Sequence, residues 1–445
     1  RWRRRGDRCR RSAGGGRAVT AMRSRSILVV LFFIIFLAIT YETSPVGVLS
    51  SIGVRLAVND EKAGLLIGVY AVVVAAGSIP LSALITRLPT RTALLAELSV
   101  FGASSAVFAL TSDYGVAVAA RLIGGVAHAV VFTSVLRAAL AAVPAGNRGP
   151  ALSALSAGNG LALAVGVPAV TALAAATDWR VPFVALTVAF AVVAVAAHLI
   201  IPTDMNDREA DLPIRAFLRA LRHPALLKVG VTVIVVCTAH YASFTYINPI
   251  LTRAGATAAQ LSGVLFGYGA ASLAVLLVVS RVADRYPRLL LRSAMALLVV
   301  SMTGVGIGLA THSLSVMIVA VLLWGAALGA IPVLAQLQAV AASTSLPSAA
   351  APIMNTSFNI GITVGAVVGG KVLTEAGSLA LVTTSAVCGV AVLLISLIPH
   401  WLPLADQPRV LAEAEGSRST HRDTATTVPA TPAARPLQPR PPPEH

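Results

Sequence analysis

Glu42 stands well inside a long apolar run, in Thr40-Tyr41-Glu42-Thr43-Ser44-Pro45. A charge in such surroundings costs roughly 3 kcal/mol or more, so it needs a reason. A carboxyl whose access to water changes with conformation can take a proton on one side of a barrier and release it on the other. The plainer reading is a static carboxyl, neutral or paired, near the mouth of the run. Arg121 opens Arg121-Leu-Ile-Gly-Gly in another apolar run and keeps its charge at ordinary pH. It therefore calls for a carboxylate, water or a solute as partner. His128 follows seven residues later, two helical turns on, and puts a titratable imidazole on nearly the same face. The alternative is a capped arginine beside a neutral, buried histidine.

A second group of side chains can form hydrogen bonds without carrying charge. Thr238-Ala-His240-Tyr241 leads into Thr245-Tyr246-Ile-Asn248-Pro249. Tyr241 and Asn248 are seven apart and share a helical face, with Thr245 between them. Thr245-Tyr246 before Pro249 echoes Thr40-Tyr41 before Pro45, which predicts two kinked, polar helices lining a cavity. Asn355 and Asn359 lie one turn apart, followed by Gly361, Gly365, Gly369 and Gly370. Ordinary interhelical bonding and tight packing are the simpler explanations for these polar groups and glycines. The chain has no phosphate-binding Gly-rich loop, metal-ligand spacing or nucleophile elbow, so neither an enzyme, a metal nor a cofactor is expected.

The elements that hold these residues follow from bulk composition. The 445-residue chain is 56% hydrophobic and 12% charged, with mean hydropathy +0.82. Soluble domains carry about 25% charged residues, so lipid must be the solvent for most of this chain. Twelve spans are predicted, at 27–49, 63–85, 92–111, 114–141, 150–174, 181–201, 228–251, 260–282, 289–311, 314–341, 349–372 and 378–400. Each run can cross a hydrocarbon core of about 30 Å as a helix.

Arginine and lysine set the expected orientation. Arg23, Arg25, Arg87, Arg91, Arg137, Arg148, the 208–228 cluster, Arg281, Arg285, Arg288 and Arg292 fall on one side. Arg55, Lys62, Arg180, Arg253 and Lys371 fall on the other. The arginine-rich side is expected to be cytoplasmic, with both termini there. The net charge of +16 resides largely in the tail and in loops on that side, which argues for lipid contact rather than nucleic acid.

The expected domains are a basic tail at 1–26, a six-helix bundle at 27–201, a loop at 202–227, a second bundle at 228–401 and a disordered tail at 402–445. Arg1 to Ala21 hold eight arginines, and Met22 is the expected initiator; a native lipid-touching tail is the alternative. Cys9, Cys237 and Cys388 make no disulfide framework.

The two bundles carry one piece of shared punctuation. Ser82-x-x-x-Thr86-Arg87-x-Pro89 and Ser280-x-x-x-Asp284-Arg285-x-Pro287 are offset by 198 residues (284 − 86). Twelve spans made by duplicating six are the mark of transporters.

These loops, the Arg121-Leu-Ile-Gly-Gly segment and Gly160 to Pro168 resemble motifs of the major facilitator superfamily. The closer resemblance is to its drug:proton antiporter-1 group, and more narrowly to bacterial sugar efflux transporters, exporters of L-arabinose and isopropyl-thiogalactoside. It rests on Tyr41-Glu42-Thr-Ser-Pro-Val-Gly-Val-Leu, Ala127-His128-Ala, Thr238-Ala-His240-Tyr241, Tyr246-Ile-Asn248-Pro249 and Phe358-Asn359-Ile360-Gly361-Ile362. It covers about Ile27 to Pro399. Departures are Asn248, where that group tends to have an acidic residue, and Ser82 and Thr86 in the first loop motif, in place of Gly and an acid.

The resemblance implies an all-α membrane protein of twelve helices in two six-helix bundles, in a bacterial plasma membrane and monomeric. It implies export of a small neutral, sugar-like solute by proton antiport through alternating access. Glu42, Arg121 and His128 would couple protons. Tyr41, His240, Tyr241, Thr245, Asn248, Asn355 and Asn359 would meet the solute. The loops bearing Arg87, Arg91, Asp284, Arg285 and Arg288 would gate. A drug or antibiotic exporter of the same fold is the first alternative; a non-transporting membrane sensor and a proton-driven importer are the others.

Overall fold

A computed structural model describes residues 3–144, 147–203, 205, 223–283, 285–342, 350–399, 401 and 402. The initiator expected at Met22 and most of the 202–227 loop lie outside the described side chains and residues, as do Asp284, Cys9 and the tail beyond residue 402. Every described element is helical.

The first half holds α1 (Arg3–Gly47), α2 (Leu49–Arg55), α3 (Asp60–Ile85), α4 (Thr90–Leu110), α5 (Tyr114–Ala142), α6 (Arg148–Leu161), α7 (Val167–Ala176) and α8 (Arg180–Ile200). The second holds α9 (Pro224–Phe244), α10 (Ile247–Arg253), α11 (Ala258–Val282), α12 (Pro287–Ala310), α13 (Leu314–Ala342) and α14 (Ala350–Leu397). Backbone helix runs from Arg3 through the segment expected as a tail. Helix starts are set by local chemistry. Asn59 accepts from the Lys62 amide, Asp113 accepts from the Val116 amide at 2.8 Å, and Thr257 with Gln260 forms a capping box.

Eleven stretches are long and apolar enough to cross a bilayer, the last being Ile353–Leu397 with 45 residues. At 1.5 Å per residue that stretch is about 68 Å, twice a hydrocarbon core of about 30 Å. Gly377, at φ 82° and ψ 180°, breaks it where an L side chain would be strained. Both ends return to the start of α9. Ile353 and Met354 pack with Leu226, Val229 and Val233, while Trp401 donates to Thr232 at 3.1 Å. Ala350–Leu397 is therefore a hairpin of two crossings, and the total is twelve.

Two apolar cores result. One draws wholly on residues between Ile27 and Ile201, among them Tyr41, Tyr70, Phe101, Phe108, Phe183 and Phe190. The other centres on α9 to α14 and recruits Val46, Leu49, Ala63, Ile67, Ala71 and Val167 from the first half. The halves meet along two seams. On one, α3 packs against α14, where Thr363 Oγ1 donates to the Gly68 carbonyl at 3.4 Å and Asn355 Nδ2 donates to Ser78 Oγ at 3.0 Å. On the other, Gly269 of α11 lies against the backbone of Leu163 and Ala164. That contact falls in a π turn, Ala162–Gly166, beside Pro168, which has no amide to give to the preceding turn.

Two sequence expectations change. The first spans of the two halves break at Val48 and at Thr245–Tyr246, not at the prolines themselves. Pro249 sits in the first turn of α10, where a missing amide costs nothing. Because α9 ends before Ile247, Tyr241 and Asn248 do not share one continuous helical face. The Gly361, Gly365 and Gly369 stripe faces Cys237, Thr238 and Ala242 of α9 in its own half, and Gly370 alone of the four faces Glu61 across the halves.

Candidate functional site

Pro45 organises the first-half site. In an α-helix the Tyr41 carbonyl would accept from residue 45, and proline offers it no amide. Arg121 fills the vacancy. Its guanidinium donates from Nη1 to the Tyr41 carbonyl at 3.1 Å and from Nη2 to the Glu42 carbonyl at 2.9 Å. Its Nε donates to the Leu66 carbonyl of α3 at 3.1 Å. The charge lies 4.1 Å from the centre of the Tyr70 ring and 5.0 Å from that of Tyr41, and the side chain is fully buried. Carbonyl oxygens and π faces thus satisfy Arg121. Among the described residues, it forms no ion pair with a carboxylate.

The Glu42 carboxylate turns to His128 instead. Oε2 lies 3.6 Å from His128 Nε2, close enough for a charge contact and too long for a hydrogen bond. His128 Nδ1 is 3.0 Å from the Tyr70 hydroxyl. With Tyr70 donating to Nδ1, the ring proton sits on Nε2 and points at the carboxylate. Glu42 is buried, with 8% of its surface exposed. It is also within electrostatic reach of Tyr241, a residue of the other half. Glu42, His128 and Arg121 thus come together as a cluster facing the junction of the halves.

Tyr41 belongs to the core. Its hydroxyl shares a 2.6 Å hydrogen bond with Ser104, and its ring meets Tyr70, Phe101, Phe183 and Phe190 edge-on. Gly124 leaves the room for Tyr41, Tyr70 and Ser104 to converge.

The second half builds an aromatic cluster. Trp324 Nε1 donates to His240 Nδ1 at 2.9 Å. An indole can only donate, so Nδ1 accepts and the ring proton is on Nε2. Phe244 stacks on His240 at 4.8 Å, Tyr241 meets it edge-on at 4.5 Å, and Tyr268 stacks on Phe244 at 5.0 Å. Tyr241 is partly exposed. Thr245 is buried, and its hydroxyl has no hydrogen-bond partner among the described residues.

The asparagines go to protein groups. Asn248 Nδ2 donates to the Gly47 carbonyl across the halves at 2.7 Å. Asn355 bonds Ser78, and Asn359 donates to the Asn355 carbonyl at 3.0 Å. Near Asn248, Arg253 of α10 pairs with Asp60 of α3 at 2.6 Å. On the opposite side, Arg87 and Arg285 are exposed, with Arg285 beside the Tyr286 ring. Arg91 bonds His198 of its own half at 2.8 Å, and Arg288 is half-buried. Among the described residues, no group of three or more His, Cys, Asp or Glu gathers in metal-holding geometry.

Sequence reasoning missed Tyr70, Ser104, Tyr268, Trp324 and a buried carboxylate, Glu97. A signal existed for three of them. Tyr70 and Tyr268 are related by the repeat offset of 198 (268 − 70), and Trp324 by the α5-to-α13 offset of 200 (314 − 114) to Gly124.

Comparison with known proteins matches this architecture. The sequence profile of the Major Facilitator Superfamily fits residues 31–353. A chloramphenicol efflux pump of Mycobacterium tuberculosis, in strains CDC 1551 / Oshkosh and ATCC 25618 / H37Rv, is 30% identical over 386 residues. That alignment covers 84% of this chain and 92% of the relative. The human organic anion transporter MFSD10 superposes with TM-score 0.63 at 16% identity, over 84% of this chain and 99% of its own. A point mutant of the nucleoside transporter NupG gives TM-score 0.67 at 11% identity, over 83% and 99%. A bacterial homologue of the lysosomal transporter Spinster, inward-facing and unoccupied, gives 0.64 at 16%, over 84% and 95%. Twelve crossings, paired six-helix cores and a matching profile over most of its length mean that the chain belongs to the major facilitator superfamily.

Proposed function

We propose that this membrane transporter exports a small neutral amphiphilic solute in exchange for protons. The observation that carries the reading is the buried Glu42 carboxylate, 3.6 Å from His128 and within electrostatic reach of Tyr241 of the opposite half. With Glu42 ionised, its charge and that of Arg121 cancel. Proton uptake leaves the cluster at +1 where the two halves meet, and in a low-dielectric setting that change favours a different packing of the halves. Tyr70 bonds His128 Nδ1 and fixes the ring with Nε2 toward the carboxylate, so a proton reaching Glu42 finds an oriented neighbour. Arg121 pins the main chain of Tyr41 and Glu42 to α3 and keeps the carboxyl in place.

Two observations favour a drug-like solute over a sugar. The hydrogen-bonding side chains expected to suit a sugar are largely engaged with protein groups: the amide nitrogens of Asn248, Asn355 and Asn359 all donate to protein, and among these three residues Asn359 Oδ1 is the buried oxygen without a partner among the described residues. The half-buried Tyr241 backed by His240, Phe244, Tyr268 and Trp324 offers π faces to an aromatic ring. The 30%-identical relative, named for chloramphenicol efflux, supports the same reading.

Inverted membrane vesicles with an imposed pH gradient test it. Labelled chloramphenicol should accumulate and labelled isopropyl-thiogalactoside should stay at background. The opposite pattern would restore the sugar reading, and accumulation of neither would overturn both.

A further inference from the structure

Glu97 is a second buried carboxylate that the site above does not use. It lies in α4, seven residues from the arginine-rich end at Thr90, whereas Glu42 lies five residues from the opposite end of α1 at Gly47. Glu97 is 3% exposed. Ser134 Oγ of α5 donates to its Oε1 at 2.5 Å, and its Oε2 has no hydrogen bond among the described residues. Arg137, three residues beyond Ser134 and so on the same face of α5, is 1% exposed and acts on Glu97 electrostatically.

The other ionisable groups on the neighbouring helices are accounted for. Arg121 and His128 of α5 belong to the Glu42 cluster. His198 of α8 is bonded to Arg91. Arg180 sits at the far end of α8, and Arg23 and Arg25 at the start of the α1 crossing.

The second half shows that the fold does not need this charge. Helix α13 has the same 29-residue length as α5 at an offset of 200 (342 − 142), and it contains no ionisable residue. The positions matching Ser134 and Arg137 are Leu334 and Leu337. In α12, the counterpart of α4, no residue after Arg292 is ionisable, and 294–300 is hydrocarbon throughout. The same helix pair thus carries no charge in one half, where the buried Gln338 of α13 stands four residues after Leu334, and holds a carboxylate, a hydroxyl and a guanidinium in the other. A buried ion pair seldom stabilises more than the apolar residues that could replace it. An ionised carboxylate with one hydrogen bond is poorly satisfied where it is buried, which gives this group reason to exchange its proton.

We propose that Glu97 is a second proton-binding site, separate from Glu42 and on the arginine-rich side, whose ionisation is balanced by Arg137. Its proton load then sets the charge buried between α4 and α5.

Infrared difference titration of the purified protein tests this between about pH 9 and about pH 3, the range spanning carboxyl and imidazole ionisation. The wild type should show a carboxyl band that titrates and is absent in Glu97→Gln, with one proton fewer taken up per molecule in that variant. Glu42→Gln, run alongside, should leave the Glu97 band in place, so failure at one site is read independently of the other. An unchanged band and proton count in Glu97→Gln would overturn the proposal. A second variant carries the hydrocarbon of the other half: Glu97→Met, Ser134→Leu and Arg137→Leu together. It should unfold at or above the wild-type temperature and lack the band. Failure to fold would show that the charges are structural and overturn the argument from the second half.

Discussion

Arg121 serves main-chain carbonyls rather than a carboxylate because Pro45 withholds the amide that the Tyr41 carbonyl would otherwise meet. Lysine keeps the charge but not the fork that reaches three carbonyls at once. Arg121→Lys should therefore lower the unfolding free energy by roughly 2–4 kcal/mol, given about 1.5–3 kcal/mol for each hydrogen bond to a charged group. Thermal unfolding in detergent would show it; an unchanged midpoint would mean the three bonds contribute little. Tyr70→Phe tests the other arm. It removes the hydroxyl from His128 Nδ1 and keeps the ring beneath Arg121. Stability should fall by about 1 kcal/mol, and gradient-driven efflux should drop about tenfold, the rate equivalent of about 1.4 kcal/mol from losing the contact that positions His128. Glu42, Arg121 and His128 could be named from sequence because charge inside an apolar run is conspicuous. Ser104 could not, because serine is common in such runs and its role depends on which helix face meets which, and Tyr70 carried only its repeat relation to Tyr268. Glu97 escaped because it sits near the end of its run, where a carboxylate looks interfacial.

At the scale of elements, the two halves use one device at the same place. Each first crossing ends in a seven-residue helix, Leu49–Arg55 and Ile247–Arg253, offset by 198 (247 − 49). These short helices carry the outer contacts between halves. Asn248 of α10 donates to Gly47 just before α2, and Arg253, the last residue of α10, pairs with Asp60 at 2.6 Å. The pair is partly exposed, so it contributes at most about 1 kcal/mol to folding. Arg253→Asp should leave the unfolding midpoint nearly unchanged and increase the separation of spin labels on α2 and α10. Adding Asp60→Arg should restore the wild-type distance; no change in either variant would mean that the pair does not hold the two halves together. The breaks themselves were only half legible. Pro45 and Pro249 announced a disturbance, but its position depends on packing. The chain bends at Val48 and at Thr245–Tyr246, where Gly47 meets Thr171 and the Tyr246 hydroxyl finds the Ala366 carbonyl at 2.7 Å.

For the whole molecule, twelve crossings follow from composition and run length alone, and the described spans match those read from sequence within a few residues. Even the turn between the last two crossings could be read, since Gly377 falls in the predicted gap between 372 and 378. Invisible from sequence was how the halves are joined. Gly365 has the Ala242 amide 2.9 Å from where a Cβ would stand, so α14 is held against α9 as one unit. Gly365→Val should destabilise by about 1–3 kcal/mol through overpacking, without changing the pH dependence of transport. The halves meet along the α3–α14 and α7–α11 seams, and Glu42 of the first half is within electrostatic reach of Tyr241 of the second.

The coupling role of Glu42 is tested most directly by comparing two modes of transport in proteoliposomes. Glu42→Gln should exchange labelled for unlabelled chloramphenicol at near the wild-type rate, because exchange needs the halves to rock but needs no net proton movement. The same variant should fail to concentrate chloramphenicol against its gradient when a pH difference is imposed. Uphill transport at the wild-type level in Glu42→Gln would contradict the account.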